Sequence, residues 1–155
     1  MSSAVIITEE SPLSKDLELL FARHSAAMHA ETPPESIYMM DPSALAAADV
    51  RLFVIREAGQ PIAMGALKAI SPELAEIKSM HVLSEARGRG LSTILLAHLI
   101  AEAQAAGHRQ LSLETGREKG FAAATGLYTK AGFTECGPFG SYSLDPNSLY
   151  MTRAL

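Results

Sequence analysis

The stretch "SEARGRGLSTILLAHL", residues 84–99, sets two arginines and two glycines immediately before a run with helical character. Leu91, Ile94, Leu95 and Leu99 recur at helical spacing and form the stripe expected to face a sheet. The four residues ahead of them, Arg87-Gly88-Arg89-Gly90, offer almost no apolar surface, and glycine loses the most backbone freedom on ordering. A helix start leaves backbone N–H groups without intrahelical partners and carries partial positive charge. Glycines let that backbone approach a ligand closely and arginines add charge, so the segment suits a phosphate or pyrophosphate. It equally suits a plain turn, with glycines set by geometry and arginines in solvent.

Around this segment the chain reads as α/β. Residues 5–8 are a short β-branched strand, and 14–30 carry Leu17, Leu20, Phe21 and Met28 at helical spacing with Ser14 as a candidate N-cap. Thr32-Pro33-Pro34 stops that helix. A short helix is expected at 42–47 with Pro42 at its first position. Strands at 51–57 and 62–70 flank Ala58-Gly59-Gln60-Pro61, a hairpin signal. A strand at 74–83 leads into the quoted loop and its helix, which ends near Gly107. A strand at 110–114, a helix at 121–131 closed by Gly132 and a strand at 149–153 complete the pattern. Strands with interposed helices and a long hairpin predict a mixed, mostly antiparallel sheet flanked by helices, an α+β arrangement.

Bulk properties narrow the function. The length of 155 residues fits one domain, taken as 1–155, and 48% hydrophobic with 19% charged residues is globular rather than disordered. No apolar run approaches the ~20 residues of a membrane span, and residues 1–10 lack the basic and apolar regions of a signal peptide. A single cysteine, Cys136, excludes an internal disulfide and fits a reducing cytoplasm. It reads as a small buried hydrophobe. The net charge of −4 argues against nucleic acid as the main partner, so the positive charge at 87–89 is local. The histidines show no close metal spacing, and no metal is expected.

A P-loop would need G-x-x-x-x-G-K-[ST], which is absent, and Gly88-x-Gly90-x-x-Thr93 lacks the third glycine of a dinucleotide fingerprint. Instead Arg87-Gly88-Arg89-Gly90-Leu91-Ser92 resembles the [RQ]-x-x-G-x-[GA] acyl-CoA pyrophosphate loop of the GNAT superfamily of N-acetyltransferases, with Ser92 replacing the usual Gly or Ala. Upstream, "AEIKSMHV" (75–82) resembles the family's central strand, and downstream "GLYTKAGF" (126–133) resembles its L-Y-x-x-x-G-F signature. Phe121 stands where the family often has Asn. The tail, with LETG, GPF-x-x-Y-x-x-D-P and a terminal strand, resembles a bacterial branch of these enzymes, which supplies no substrate.

The resemblance implies acetyl-CoA as acyl donor, held by Arg87, Gly88, Arg89, Gly90, Leu91, Ser92 and Thr93 and by the backbone of Met80, His81 and Val82. The central strand of the family bulges there, offering oxyanion donors and pairing with pantetheine like an added strand. Transfer to an amine needs a general base, since a free alkyl amine is mostly ammonium near neutrality. Glu76 matches the family's glutamate base, yet period-two alternation puts it beside Lys78 as a competing surface pair. Glu114 is the second candidate and His81 a third. Tyr128 matches the general acid that protonates the CoA thiolate; a buried, packed tyrosine is the plainer alternative. The expected activity is direct acetyl transfer to a small-molecule primary amine. Alternatives are a protein or peptide N-terminal acceptor, or a non-catalytic acyl-CoA-binding domain. Neither membrane nor nucleic acid is expected as a partner, and a homodimer is compatible.

Overall fold

Ala58 and Gly59, with φ of 50° and 80°, make the two-residue turn that the right-handed twist of a hairpin favours. They join β2 (Val50–Glu57) to β3 (Gln60–Ala69), so Gln60 and Pro61 belong to the strand and not to the turn. This computed structural model describes residues 4–155; residues 1–3, the start of the segment read above for a signal peptide, lie outside the described residues. β1 (Val5–Glu10) pairs antiparallel with β2, and β4 (Leu74–Val82) with β3. β5 (Gln110–Gly116) runs parallel to β4, and β7 (Ser148–Ala154) lies antiparallel between β5 and β6 (Thr134–Cys136). Among the described residues the result is one seven-stranded sheet, ordered β1-β2-β3-β4-β5-β7-β6, with a single parallel pair. Mixed and mostly antiparallel, it is the sheet expected from sequence, with β6 added.

Helices α1 (Glu18–Glu31) and α3 (Leu91–Ala105) pack against β3 and β4, while α4 (Ala122–Lys130) follows β5. A single turn, α2 (Pro42–Leu45), precedes β2 and is capped by the Asp41 carboxylate, which accepts from the Ala44 N–H at 2.8 Å. Two expectations change. Ser14 makes no capping bond, because a tight 3-10 turn at Lys15–Leu17 intervenes and the α-helix begins only at Glu18. In α3 the buried stripe is Leu91, Leu95, Leu96, Leu99 and Ala103, whereas Ile94 is 43% exposed. The helix is rotated so that Leu96 takes the inner place assigned to Ile94.

Between β3 and β4 the register slips, placing Met64 opposite His81 but Ala66 opposite Lys78. Ser79 sits at the slip with φ 58°, an uncommon conformation for a residue with a side chain. Gly65, across from it, leaves room for Met80: a Cβ there would lie 2.7 Å from the Met80 sulfur. This is the bulge expected in the central strand.

Candidate active site

β4 and β5 pair only from Leu74↔Gln110 to Ile77↔Leu113 and then diverge. Beyond Ile77 the β5-facing edge of β4 has no strand beside it among the described residues, so its backbone donors and acceptors line an open cleft. Two cavities occupy this cleft and share His24, Met28, Met80, Phe121, Ala124 and Tyr128. The larger, about 480 Å³, runs past His81 and Val82 to Arg87, Gly88, Gly90 and Ser92 at the start of α3. The smaller, about 110 Å³, lies between the parted strands against Glu76, Lys78, Glu114 and Tyr142.

The segment that opened the sequence forms the outer end of the larger cavity. Gly88 and Gly90 adopt φ of 78° and 76°, and a Cβ on either would meet no atom within 4 Å. Their need is therefore conformational, and the space before them is free. Gly90 is the residue from which α3 departs, so the unpaired N–H groups of its first turn point at that space. The two arginines differ. Arg87 lines the cavity and its Nε donates to the Val82 carbonyl at 3.3 Å. Arg89 turns away to grip Glu57 with both guanidinium ends, and Thr93 is exposed. Neither of these two side chains lines the cavity, because a carboxylate on β2 captures one and helix geometry turns the other outward.

In the smaller cavity Glu76 is not a surface residue but 3% exposed. Lys78 is on the same face, as alternation required, with Nζ 3.4 Å from the Glu76 carboxylate. Nζ also donates to the Tyr142 hydroxyl at 2.8 Å and the Tyr38 carbonyl at 3.1 Å, and Tyr142 in turn donates to Glu76 at 2.5 Å. Tyr142 comes from the loop after β6, where Phe139 stacks edge-on against it at 5.1 Å. Glu114, on the opposite bank, is held above the usual carboxylate range, chiefly by burial, with the Glu76 charge adding. Tyr128 is 6% exposed and packs edge-on to Phe133 at 5.8 Å. Burial, aided by the Glu114 charge, pushes its hydroxyl well above the ordinary phenol, so it stays protonated at neutral pH. It faces both cavities, so the packed and the cleft-facing readings hold together.

His24 of α1 and His81 of β4 meet edge-on, with ring centroids 5.3 Å apart. Each is lowered to about 4, His24 by burial and the His81 charge, His81 by burial and the charges of Arg87 and Arg23. At neutral pH both rings are uncharged, and His81 is a weak base. The unfolded chain takes up protons first as pH falls through 6.5, so the stability these rings permit is full above that value and lost toward pH 4. Going from pH 7 to pH 5 should cost about 2 kcal/mol per imidazole. Denaturant unfolding at the two pH values measures the loss. His24→Phe should remove roughly half of it, and an identical pH dependence in the variant would contradict the assignment.

The structure thus gathers Glu76, Glu114, Tyr128, Met80, His81, Val82, Arg87, Gly88, Gly90, Leu91 and Ser92 along one cleft. Sequence reasoning missed Tyr142, Tyr38 and Phe121 as cavity walls. For Tyr142 the signal lay in the GPF-x-x-Y pattern of the tail. For Phe121 it was its place where the family often has Asn; its ring packs over Gly116, where a Cβ would lie 2.3 Å from it.

Comparison with known proteins agrees with this geometry. The model of the acetyltransferase (GNAT) family matches residues 17–133. The IAA acetyltransferase of Azospirillum brasilense is 39% identical over 153 residues, covering 97% of this chain and 98% of its own. The uncharacterized N-acetyltransferase YedL of Escherichia coli is 36% identical over 139 residues, covering 90% and 87%. Among solved structures, a proposed acyl-CoA N-acyltransferase from Klebsiella pneumoniae superposes with a TM-score of 0.81 at 28% identity over 97% of both chains. The N-acetylglutamate synthase of Neisseria gonorrhoeae, solved with coenzyme A and N-acetyl-glutamate, superposes with a TM-score of 0.74 at 17% identity, over 97% of this chain and 35% of that one. A parted parallel pair, a bulged central strand and a glycine-rich helix start therefore belong together for a reason: the chain is a member of the acetyltransferase (GNAT) family.

Proposed function

We propose that residues 1–155 form one acetyl-CoA-dependent N-acetyltransferase domain that transfers acetyl directly to a primary amine of a small molecule. The observation that carries this reading is the joining of two unlike cavities at Tyr128. One is long and ends at a helix N-terminus suited to a pyrophosphate; the other is small, buried and lined with carboxylates. The pantetheine arm pairs with the free edge of β4 beyond Ile77, as an added strand would. Backbone N–H groups near Met80 to Val82 stabilise the tetrahedral oxyanion. Arg87 is the arginine that meets the pyrophosphate, because Arg89 is engaged by Glu57.

Of the candidate bases, Glu114 fits best. Its raised proton affinity makes it a better acceptor near neutrality than an ordinary carboxylate. The Glu76 carboxylate is already occupied: it accepts from the Tyr142 hydroxyl and lies 3.4 Å from the Lys78 ammonium. We assign Glu76 to fixing the cavity wall. One ammonium proton passes to Glu114 and on to water, the freed nitrogen attacks the thioester carbon, and collapse of the oxyanion breaks the C–S bond as the departing thiolate takes the proton of Tyr128. The second proton of the acetylated nitrogen then restores the tyrosine hydroxyl.

Continuous detection of released CoA over a panel of amines tests the reading: turnover with at least one small amine is expected, and acetyl-CoA binding without turnover would point to a non-catalytic binder. Glu114→Gln should lower kcat ten- to a hundredfold and flatten the alkaline rise in rate while acetyl-CoA affinity holds. The same substitution should leave stability at neutral pH unchanged or raised. The parent carboxyl has a folded pKa above its unfolded one, so it loses stability as pH climbs through that window, and glutamine does not. An unaltered pH–rate profile in Glu114→Gln would remove Glu114 from the mechanism.

A further inference from the structure

A second chamber of about 310 Å³ adjoins the small cavity. The two share Tyr38, Met39, Glu76, Lys78 and Tyr142, so these side chains form the boundary where one passes into the other. On the far side the walls are Lys68, Ser141 and Ser143, with Met40 and Ile70. Lys68 reaches that chamber from β3, where it is the register partner of Glu76, while Ala66 is the partner of Lys78. Lys68, Glu76 and Lys78 thus stand on one face of two neighbouring strands. Lys68 is half-buried, and among the described residues no carboxylate forms a salt bridge with it.

The charges along this passage are graded. The inner cavity sets two carboxylates, Glu76 and Glu114, against the one ammonium of Lys78. The outer chamber sets two ammonium groups, Lys68 and Lys78, against the one carboxylate of Glu76. Asp145, two residues beyond Ser143, is taken up by the hydroxyls of Tyr38 at 2.5 Å and Ser36 at 3.0 Å and lines neither chamber. Glu76 and Lys78 neutralise each other at the boundary, which leaves Glu114 uncompensated at one end and Lys68 at the other. A half-buried ammonium facing a polar cavity with no counter-ion is a site for an anion supplied by a ligand.

We propose that the acceptor is an aminocarboxylate, its amine lodged beside Glu114 and Tyr128 and its carboxylate received by Lys68 and the Ser141 and Ser143 hydroxyls. This rests on the acetyl-transfer reading above and narrows its substrate class. A simple alkylamine satisfies the inner end only. A carboxylate on the same molecule gains a charge-assisted contact at the outer end and fixes the direction of entry. Tyr142, bonded to both members of the boundary pair, sets the width of the passage.

The test compares aminocarboxylates of increasing length, from glycine to 6-aminohexanoate, each with the alkylamine that lacks its carboxyl. CoA release gives kcat/KM for both members, in the parent and in Lys68→Gln. At least one aminocarboxylate should exceed its alkylamine by on the order of tenfold, the worth of one charge-assisted contact. Lys68→Gln should cost that aminocarboxylate about tenfold more than its alkylamine, through KM rather than kcat. Equal preference in the parent, or an equal loss on both members, would overturn the proposal. Calorimetric titration of the same compounds into CoA-saturated protein keeps the two readings apart. Binding of an aminocarboxylate that Lys68→Gln weakens, without turnover, would sustain the site and refute acetyl transfer. Neither binding nor turnover across the series would overturn the aminocarboxylate site.

Discussion

Replacing Gly90 with glutamate is expected to raise the dissociation constant for acetyl-CoA by at least about a hundredfold, a loss of about 2.7 kcal/mol. Two effects act together at this position. The residue has φ 76°, where a side chain costs on the order of 1–2 kcal/mol of backbone strain. The new carboxylate would also project into space that no protein atom occupies, in front of the unpaired N–H groups of α3. An anion there takes the place of the pyrophosphate and repels it. Gly90→Ala separates the two causes, since it brings the strain without the charge; its affinity should fall only a few-fold. Isothermal titration of both variants, with thermal unfolding to establish that each is folded, measures the difference. Equal affinities for the glutamate and alanine variants would mean that the loop does not hold the pyrophosphate.

Tyr128→Phe should lower kcat about 10²–10³-fold while acetyl-CoA affinity changes little. The hydroxyl is held in its protonated form by burial at the junction of the two cavities, which is the state a general acid needs. Its contribution grows only as negative charge develops on the departing sulfur, so the loss belongs in turnover rather than in binding. Phenylalanine retains the ring and its edge-on contact with Phe133, and the melting temperature should move little. Steady-state kinetics with any amine that the parent acetylates, beside thermal unfolding, decides the matter. Turnover within a few-fold of the parent would reduce Tyr128 to a packing residue.

Where sequence patterns were regular, they were legible. The glycine-bearing turn between β2 and β3 and the helical spacing of apolar residues in α3 identified much of the fold, and the resemblance carried by the loop and "GLYTKAGF" supplied the family. β6 escaped because three residues, Thr134–Cys136, are too few to display a period, and Cys136 on it is half-buried rather than core. Ile94 was misplaced because leucine and isoleucine at neighbouring positions 94–96 fit two rotations of the same helix, and only packing against β3 and β4 selects one. The candidate site was half legible. Glu76 and Lys78 were correctly put on one face, but whether that face met water depended on residues 137–147, a loop with no periodicity. Their enclosure by Tyr142, with the Tyr38 carbonyl on Lys78, is tertiary information. Arg89 likewise looked equivalent to Arg87 until the Glu57 carboxylate, 32 positions away, was seen to claim it.

The four rungs between β4 and β5 act as the spine of a book whose covers are the two parts of the sheet. One cover carries the bulge and the glycine loop; the other carries Glu114, with Tyr128 on the helix that follows. The distance from the bulge and the glycine loop to Glu114 and Tyr128 is therefore set by the opening angle at the spine. Side chains that pack the rungs away from the cavities, such as Ala75 and Leu111, line neither of them, yet their volumes bear on that angle. A misplacement of about 1 Å at the chemistry can cost on the order of a hundredfold in rate. Substitutions along the spine can accordingly retune catalysis from below, leaving each binding surface intact while changing how the surfaces face each other.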